Sequence, residues 1–247
     1  MFDENNFVTS EIIGQGSFGL TKKAIQVSTG QNVAIKLIEF TNEDTKIKMN
    51  QEIATLQKLS HPNIVQYLGY YMKRNKLAIV MELVEGGDAQ ALYKTMRQKQ
   101  QPLELNNVWE FIFQMAYALS YIHSQGIIHK DFKPANILLS GDKKIYKLAD
   151  FGLAKHLIPG QNTVTQTQLG TPLYDCPELF ETKRSSTQAD LFSFGVVIFN
   201  LIELDHPFTP DLAPIYAQRV VTEQPKPFRL SKDETLNNLV IRMLDKV

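Results

Sequence analysis

Eight consecutive residues, His129-Lys130-Asp131-Phe132-Lys133-Pro134-Ala135-Asn136, followed shortly by Asp150-Phe151-Gly152, carry the clearest chemistry in this chain. Three side chains able to handle protons or metal ions, Asp131, Asn136 and Asp150, fall in one short segment. Lys133 adds a positive charge two places after Asp131. Phosphoryl transfer needs such an inventory: a carboxylate near the attacking hydroxyl, oxygen ligands for magnesium, and a cation for the phosphate in transit. Asp-Phe-Gly alone could be a turn after a strand. The longer run could be a polar turn between the apolar strands 127–128 and 137–139.

The first third of the chain supplies complementary parts. Gly14-Gln15-Gly16-Ser17-Phe18-Gly19 lies between two strand-like runs, 7–13 and 20–27. No helix follows at once, which argues against a dinucleotide-binding turn. A hairpin fits better, with its backbone N–H groups lying over a nucleotide's phosphates. Val33-Ala34-Ile35-Lys36 reads as a buried strand ending in a lysine. Such a lysine is costly unless paired, or it snorkels to the surface. Glu52 is the candidate partner. It lies on a helix over 44–59, where Ile47, Ile53, Leu56 and Leu59 recur at helical spacing and His61-Pro62-Asn63 ends the pattern. A solvated Glu52 is the plainer alternative.

The elements that position these groups fall into two layers. Residues 1–81 read as strand, glycine hairpin, two strands, a helix, and two further strands (65–71 and 77–81). That is a small, mostly antiparallel sheet with one helix. Residues 82–88, Glu-Leu-Val-Glu-Gly-Gly-Asp, break the pattern with two glycines and suit a hinge. From 89 onward helices dominate, at 89–100, 105–125, 190–204 and 236–245. The second is amphipathic, with Val108, Phe111, Ile112, Met115, Leu119 and Ile122 on one side. The fold class is therefore α+β. Residues 159–170, rich in Gln and Thr without apolar periodicity, read as a mobile loop.

The 247 residues suffice for one large or two small domains. With 26 Lys+Arg against 26 Asp+Glu, the composition gives no support for nucleic-acid or membrane-surface binding. Cys176 is the only cysteine, so no intramolecular disulfide forms; a reducing, cytoplasmic setting is expected, without excluding the nucleus. The polar N-terminus is unlike a secretory signal. The apolar stretch 192–204 is too short to span a bilayer.

These motifs, in this order, resemble the catalytic domain of eukaryotic protein kinases of the serine/threonine type, from about Phe7 to the chain end. The stretch 88–136 is most similar to the never-in-mitosis-related group. The resemblance implies a two-lobed fold: a small antiparallel sheet lobe (1–81), a hinge (82–88) and a larger helical lobe (89–247). It implies ATP and Mg2+ as cofactors and proteins bearing Ser/Thr acceptors as substrates. Asp131, Lys133, Lys36 and Glu52 take catalytic positions, and Asn136 and Asp150 the metal positions. Ile13, Gly14, Gly16, Gly19, Thr21, Ala34, Lys36, Met81, Glu82, Val84, Asp88 and Leu138 take nucleotide positions. Asp88 would accept a ribose hydroxyl, and Met81 would limit pocket depth. Leu56, Tyr67, His129 and Phe151 match a stacked column coupling the helix of Glu52 to the metal loop. Thr167 takes a regulatory phosphosite, with Lys130 and Lys155 as its cations, and Thr171 touches the catalytic Asp and Lys.

The chain departs from the family pattern in places. Lys130 replaces arginine, which loses bidentate phosphate capture. Thr21, Phe132 and Phe192 replace valine, leucine and tryptophan, and Cys176-Pro177-Glu178 replaces Ala-Pro-Glu. The helical lobe is expected to be incomplete, because the arginine that normally pairs with the glutamate matching Glu178 lies beyond Val247. Without it Glu178 would stay hydrated, take up a proton or find another cation, for which Arg184 and Arg242 are the candidates. Lys130 and the ending keep a second reading open, a pseudokinase or scaffold module that binds nucleotide or partners with little turnover.

Overall fold

The computed structural model describes residues 2–16, 19–39, 43–157, 160–165 and 171–246. In chain order the first elements are β1 (Phe7–Gly16), β2 (Gly19–Gln26), β3 (Asn32–Glu39), α1 (Glu43–Leu56), β4 (Tyr67–Lys73) and β5 (Lys76–Glu82). The five strands form one antiparallel sheet in the order β1-β2-β3-β5-β4. Side chains alternate across a pleated strand. Val33 and Ile35 of β3 therefore join a small outer cluster with Phe7, Ala24, Tyr71, Ala78 and Val80. Ala34, Lys36 and Ile38 point to the opposite face. There Ile38, Leu77 and Ile79 meet Met49, Ile53 and Leu56 of α1 in the main core. That parity alone sends Lys36 inward.

The glycine hairpin is longer than the apolar pattern suggests. Gly14 pairs with Thr21, Gln15 with Leu20 and Gly16 with Gly19, so the strands continue through the glycines. Backbone pairing needs no apolar side chain, and the residues there are too small or polar to signal it. Gly19 is obligatory. Its φ is 146°, and a Cβ would sit 2.1 Å from the Leu37 carbonyl oxygen. On α1, Ile47 is 52% exposed while Met49 is buried, so the buried stripe runs through Met49 rather than Ile47.

The second layer follows as α2 (Ala89–Lys99), α3 (Leu105–Ser124), β6 (Ile127–Ile128), β7 (Ile137–Leu139), β8 (Tyr146–Leu148), β9 (Lys155–His156), β10 (Val164–Thr165), α4 (Pro177–Thr182), β11 (Arg184–Ser185), α5 (Thr187–Glu203), α6 (Ala213–Thr222) and α7 (Glu234–Met243). The apolar face read on α3 is buried at every position. α5 is apolar almost all round, and accordingly packs against α2, α3 and α7 at the centre of this lobe. Two short antiparallel pairs, β6 with β9 and β7 with β8, bracket the segments that begin at His129 and end at Gly152.

Several elements differ from the sequence expectation. α4 and α6 carry too few apolar positions to show a period: α6 buries only Tyr216 and Val220. The stretch expected as a loop holds a strand pair, Val164 with Ser185 and Thr165 with Arg184. α5 starts three residues earlier than 190, because Ser186 caps it by accepting the Gln188 N–H. Among the described residues no helix is long and apolar enough to cross a membrane.

Candidate active site in the interlobe cleft

A cavity of about 660 Å³ opens between the sheet and the helical layer. Its roof is Ile13, Gly14, Gly19 and Thr21 of the glycine hairpin, with Ala34 and Lys36 of β3. Its back and edge are Met81, Glu82, Val84 and Asp88, and its floor is Leu138. Asp131, Lys133, Asn136, Asp150 and Glu52 line the inner end. Every expected nucleotide position is there except Gly16, which lies at the hairpin tip opposite Gly19. The size suits a ligand of nucleotide dimensions.

Lys36 is the electrostatic centre. Its Nζ lies 2.9 Å from Glu52 Oε1 and 2.8 Å from Asp150 Oδ1. Lys36 and Glu52 are both buried, at 7% and 8% exposure. Burial works against the ammonium, but Glu52 and Asp150 outweigh it and hold the Lys36 pKa well above its ordinary value. Burial likewise pushes Asp150 up, and Lys36 and the Gly152 N–H bring it below its usual range. Removing one member of such a buried set costs about 3–5 kcal/mol, because the remaining charge is left uncompensated.

The second centre is Asp131. Lys133 Nζ sits 2.7 Å from its Oδ2, and Asn136 Nδ2 donates to the same oxygen at 2.9 Å and to the Asp131 carbonyl at 2.8 Å. With its amide nitrogen committed to two acceptors, Asn136 keeps its oxygen for a ligand. Thr171 Oγ1 accepts from Lys133 Nζ at 2.8 Å and donates to Asp131 Oδ1 at 3.3 Å. The backbone before Asp131 is fixed by Asp190. This carboxylate accepts the N–H groups of His129 at 2.9 Å and Lys130 at 2.8 Å. Lys130 adopts a left-handed φ of 69°, a conformation that costs about 1 kcal/mol or more outside glycine and needs such an anchor.

Members of the expected column lie in or against the main core. Leu56 and Phe151 belong to the main core, and Tyr67 packs against it. The His129 ring meets Phe151 edge-on at 4.9 Å. The Tyr67 hydroxyl, which needs a partner at such a site, bonds the Gln57 side chain.

A family profile described as a protein kinase domain matches residues 7–247. The chain belongs to the protein kinase family. It is 29% identical over 232 residues to the serine/threonine-protein kinase nekl-2 of Caenorhabditis elegans, covering 90% of this chain and 64% of that protein. It is 34% identical over 204 residues to the serine/threonine-protein kinase Nek5 of Mus musculus, covering 83% and 32%. It is 35% identical over 238 residues to the MAP3K epsilon protein kinase 1 of Arabidopsis thaliana, covering 94% and 17%. The chain thus spans less than two thirds of the length of each of these relatives. Never-in-mitosis-related names are among them, as the stretch 88–136 suggests.

The donor set of the cleft suits a magnesium–nucleotide. Asn136 and Asp150 both line the cavity, and no group of three or more His, Cys, Asp or Glu side chains that could hold a metal ion occurs among the described residues. Two protein oxygens are what Mg2+ commonly takes when phosphate oxygens complete its shell, so the residues fit.

Of the two cations expected at the regulatory site, Lys130 is buried and Lys155 is exposed. Lys130 is 8% exposed rather than free at the surface. Burial and the nearby charge of Lys155 lower its pKa to about 8, against the pull of Asp190 and Asp175. Lys155 is exposed and donates to the Thr165 carbonyl at 2.9 Å. Thr167 lies outside the described residues. Of the outcomes expected for Glu178, a substitute arginine is not found and a partly hydrated carboxylate is. Among the described residues neither Arg184 nor Arg242 pairs with it; both are exposed, and Glu178 is only half-buried in the first turn of α4, where the Cys176 thiol bonds it. Partial hydration and the N-terminus of α4 both favour the Glu178 charge.

Sequence reasoning passed over three groups. Lys147 holds Glu82 at 2.7 Å, and Lys23 reaches Glu85 at 3.6 Å, so the start and the middle of the hinge are tied by charge. Asp175 is the third, a buried carboxylate between Tyr174 and Cys176. Its only signal was a charged residue in an otherwise apolar run.

Proposed function

We propose that this chain transfers the γ-phosphate of ATP to serine and threonine hydroxyls of proteins, with Mg2+ as the metal. Residues 1–81 and 89–247 act as the two lobes and 82–88 as their hinge. The observation that carries this reading is Lys36, bridged at 2.9 and 2.8 Å to Glu52 and Asp150 inside the cleft that holds Asp131.

In this reading Ala34 and Leu138 enclose the adenine, and Met81 limits pocket depth. Main-chain groups of Glu82 and Val84 bond the adenine edge. Ile13, Gly14, Gly16, Gly19 and Thr21 cover the phosphates, and Lys36 aligns them. Asp88 reaches the ribose through Oδ2, since its Oδ1 caps α2 by accepting the Ala91 N–H at 2.7 Å. Asn136 and Asp150 hold the magnesium, which when bound offsets charge on the phosphates. Asp131 orients the acceptor hydroxyl and takes its proton at a carboxylate oxygen. Lys133, shared between Asp131 and Thr171, steadies the group in transit. Thr167, when phosphorylated, is met by Lys130 and Lys155. The scaffold reading gains nothing from the cleft, where each catalytic side chain sits in hydrogen-bonding reach of its partner. The single, buried Cys176 fits a cytoplasmic location.

Incubation with magnesium, γ-labelled ATP and a serine-rich protein tests the proposal. Label on serine or threonine supports it. Nucleotide binding without label on any protein contradicts it.

A further inference from the structure

Thr55 and His156 make a contact that neither nucleotide binding nor proton transfer explains. Thr55 lies in the last turn of α1, one turn after Glu52, and is 3% exposed. His156 is an exposed residue of the short strand β9. Neither lines the interlobe cavity. Yet Thr55 Oγ1 and His156 Nε2 are 3.2 Å apart.

The direction of this bond follows from counting protons. A threonine hydroxyl has one to give. Thr55 gives it to the Gln51 carbonyl at 2.9 Å. Towards His156 the hydroxyl can therefore only accept, so Nε2 carries the ring proton. Burial and the charge of Lys58 hold the His156 pKa below its ordinary value. Near pH 7 the ring is neutral, and its single N–H is directed to Thr55.

Both ends of the bond are attached to the chemistry. Residues three apart on a helix share a face. The bond that seats Thr55 therefore also sets the rotation of α1 at which Glu52 meets Lys36, 2.9 Å away. At the other end, β9 pairs with β6, His156 opposite Ile127 and Lys155 opposite Ile128. β6 runs directly into His129 and Asp131, and β9 follows closely after Asp150. Among the described residues this is the only hydrogen bond from an α1 side chain to the second layer.

We infer that Thr55 and His156 are positioning residues, which hold α1 in the rotation that brings Glu52 to Lys36 and so couple the phosphate-aligning lysine to the strand pair leading into Asp131. Neither touches a reacting atom; both act through Glu52. The inference rests on the proposed kinase activity.

The test measures label transfer from γ-labelled ATP, in magnesium, to a serine-rich protein, by wild type and by variants of the full chain. Thr55→Val and His156→Phe remove the acceptor and the donor at nearly constant shape. Each should lower kcat about threefold to tenfold, the worth of one hydrogen bond, with KM for the protein substrate unchanged. The double variant should be no slower than the slower single one. Thr55→Ser and His156→Gln, which keep an acceptor and an N–H donor, should retain wild-type kcat. In a Glu52→Gln background, Thr55→Val should lower kcat no further, which a merely structural contact would not produce. Single variants that match a wild type able to label the protein, losses that add in the double variant, or a full loss in the Glu52→Gln background would each overturn the inference and leave the kinase reading standing. If wild type labels no protein, both fall together.

Discussion

Asp190 accepts the Lys130 N–H at 2.8 Å and, through its other oxygen, the His129 N–H at 2.9 Å. A buried carboxylate at the start of α5 therefore sets the backbone from which Asp131 projects. His123 Nε2, 2.8 Å away, steadies the same oxygen.

Asp190→Ala strands two buried N–H groups, each worth about 1–3 kcal/mol. Denaturant unfolding should show a loss of roughly 2–6 kcal/mol, and turnover should fall further than stability alone explains. Stability unchanged within 0.5 kcal/mol, a margin of about the size seen for surface substitutions, would contradict the anchoring role.

Lys36→Ala should lower turnover by roughly a hundredfold or more while weakening nucleotide binding far less, because alignment is lost rather than the pocket. It also leaves Glu52 and Asp150 facing one another. Steady-state kinetics beside nucleotide titration separate the two effects; equal losses in both would sink the assignment.

Gly86→Ala should disturb the hinge. A Cβ there would lie 2.0 Å from the Ser140 carbonyl oxygen and 2.5 Å from that of Leu139. Backbone must shift, at roughly 1–3 kcal/mol, and nucleotide affinity should drop with it. Calorimetric binding that matches wild type would mean that the hinge gives way more easily than its contacts suggest.

Asp175 gives a pH dependence of definite sign. Its folded pKa, about 7, is raised above the unfolded value near 3.8. Between these values the native state binds more protons than the unfolded one, so stability falls as pH rises from about 4 to about 7 and levels above that. The full span is on the order of 4 kcal/mol at most. In Asp175→Asn this slope should vanish, making the variant the more stable protein at pH 8. A wild-type stability that rises through this window, with the variant parallel to it, would contradict the buried-carboxylate account.

The sequence exposed the parts of the site whose chemistry is local. The 129–136 segment, Asp150-Phe151-Gly152 and the α3 stripe were readable because a run of fixed residue types or a 3.6-residue period sits within one element. The Lys36–Glu52 pair was readable only as a possibility, since nothing in β3 or α1 fixes their distance; the parity of β3 decides it. What stayed hidden depends on long-range pairing. Val164–Thr165 finds Arg184–Ser185 across the chain, and two residues carry no pattern. α6 shows only an i, i+4 pair, Tyr216 and Val220. Ile47 misled because one exposed apolar residue fits the period as well as a buried one.

The most direct measurement compares wild-type protein with Asp131→Asn in transfer of label from γ-labelled ATP, in magnesium, to a serine-rich protein. The account predicts label on serine or threonine with wild type and a loss of roughly a hundredfold or more with Asp131→Asn, at similar nucleotide affinity. Equal transfer by both proteins, or none by wild type that binds nucleotide, would contradict it.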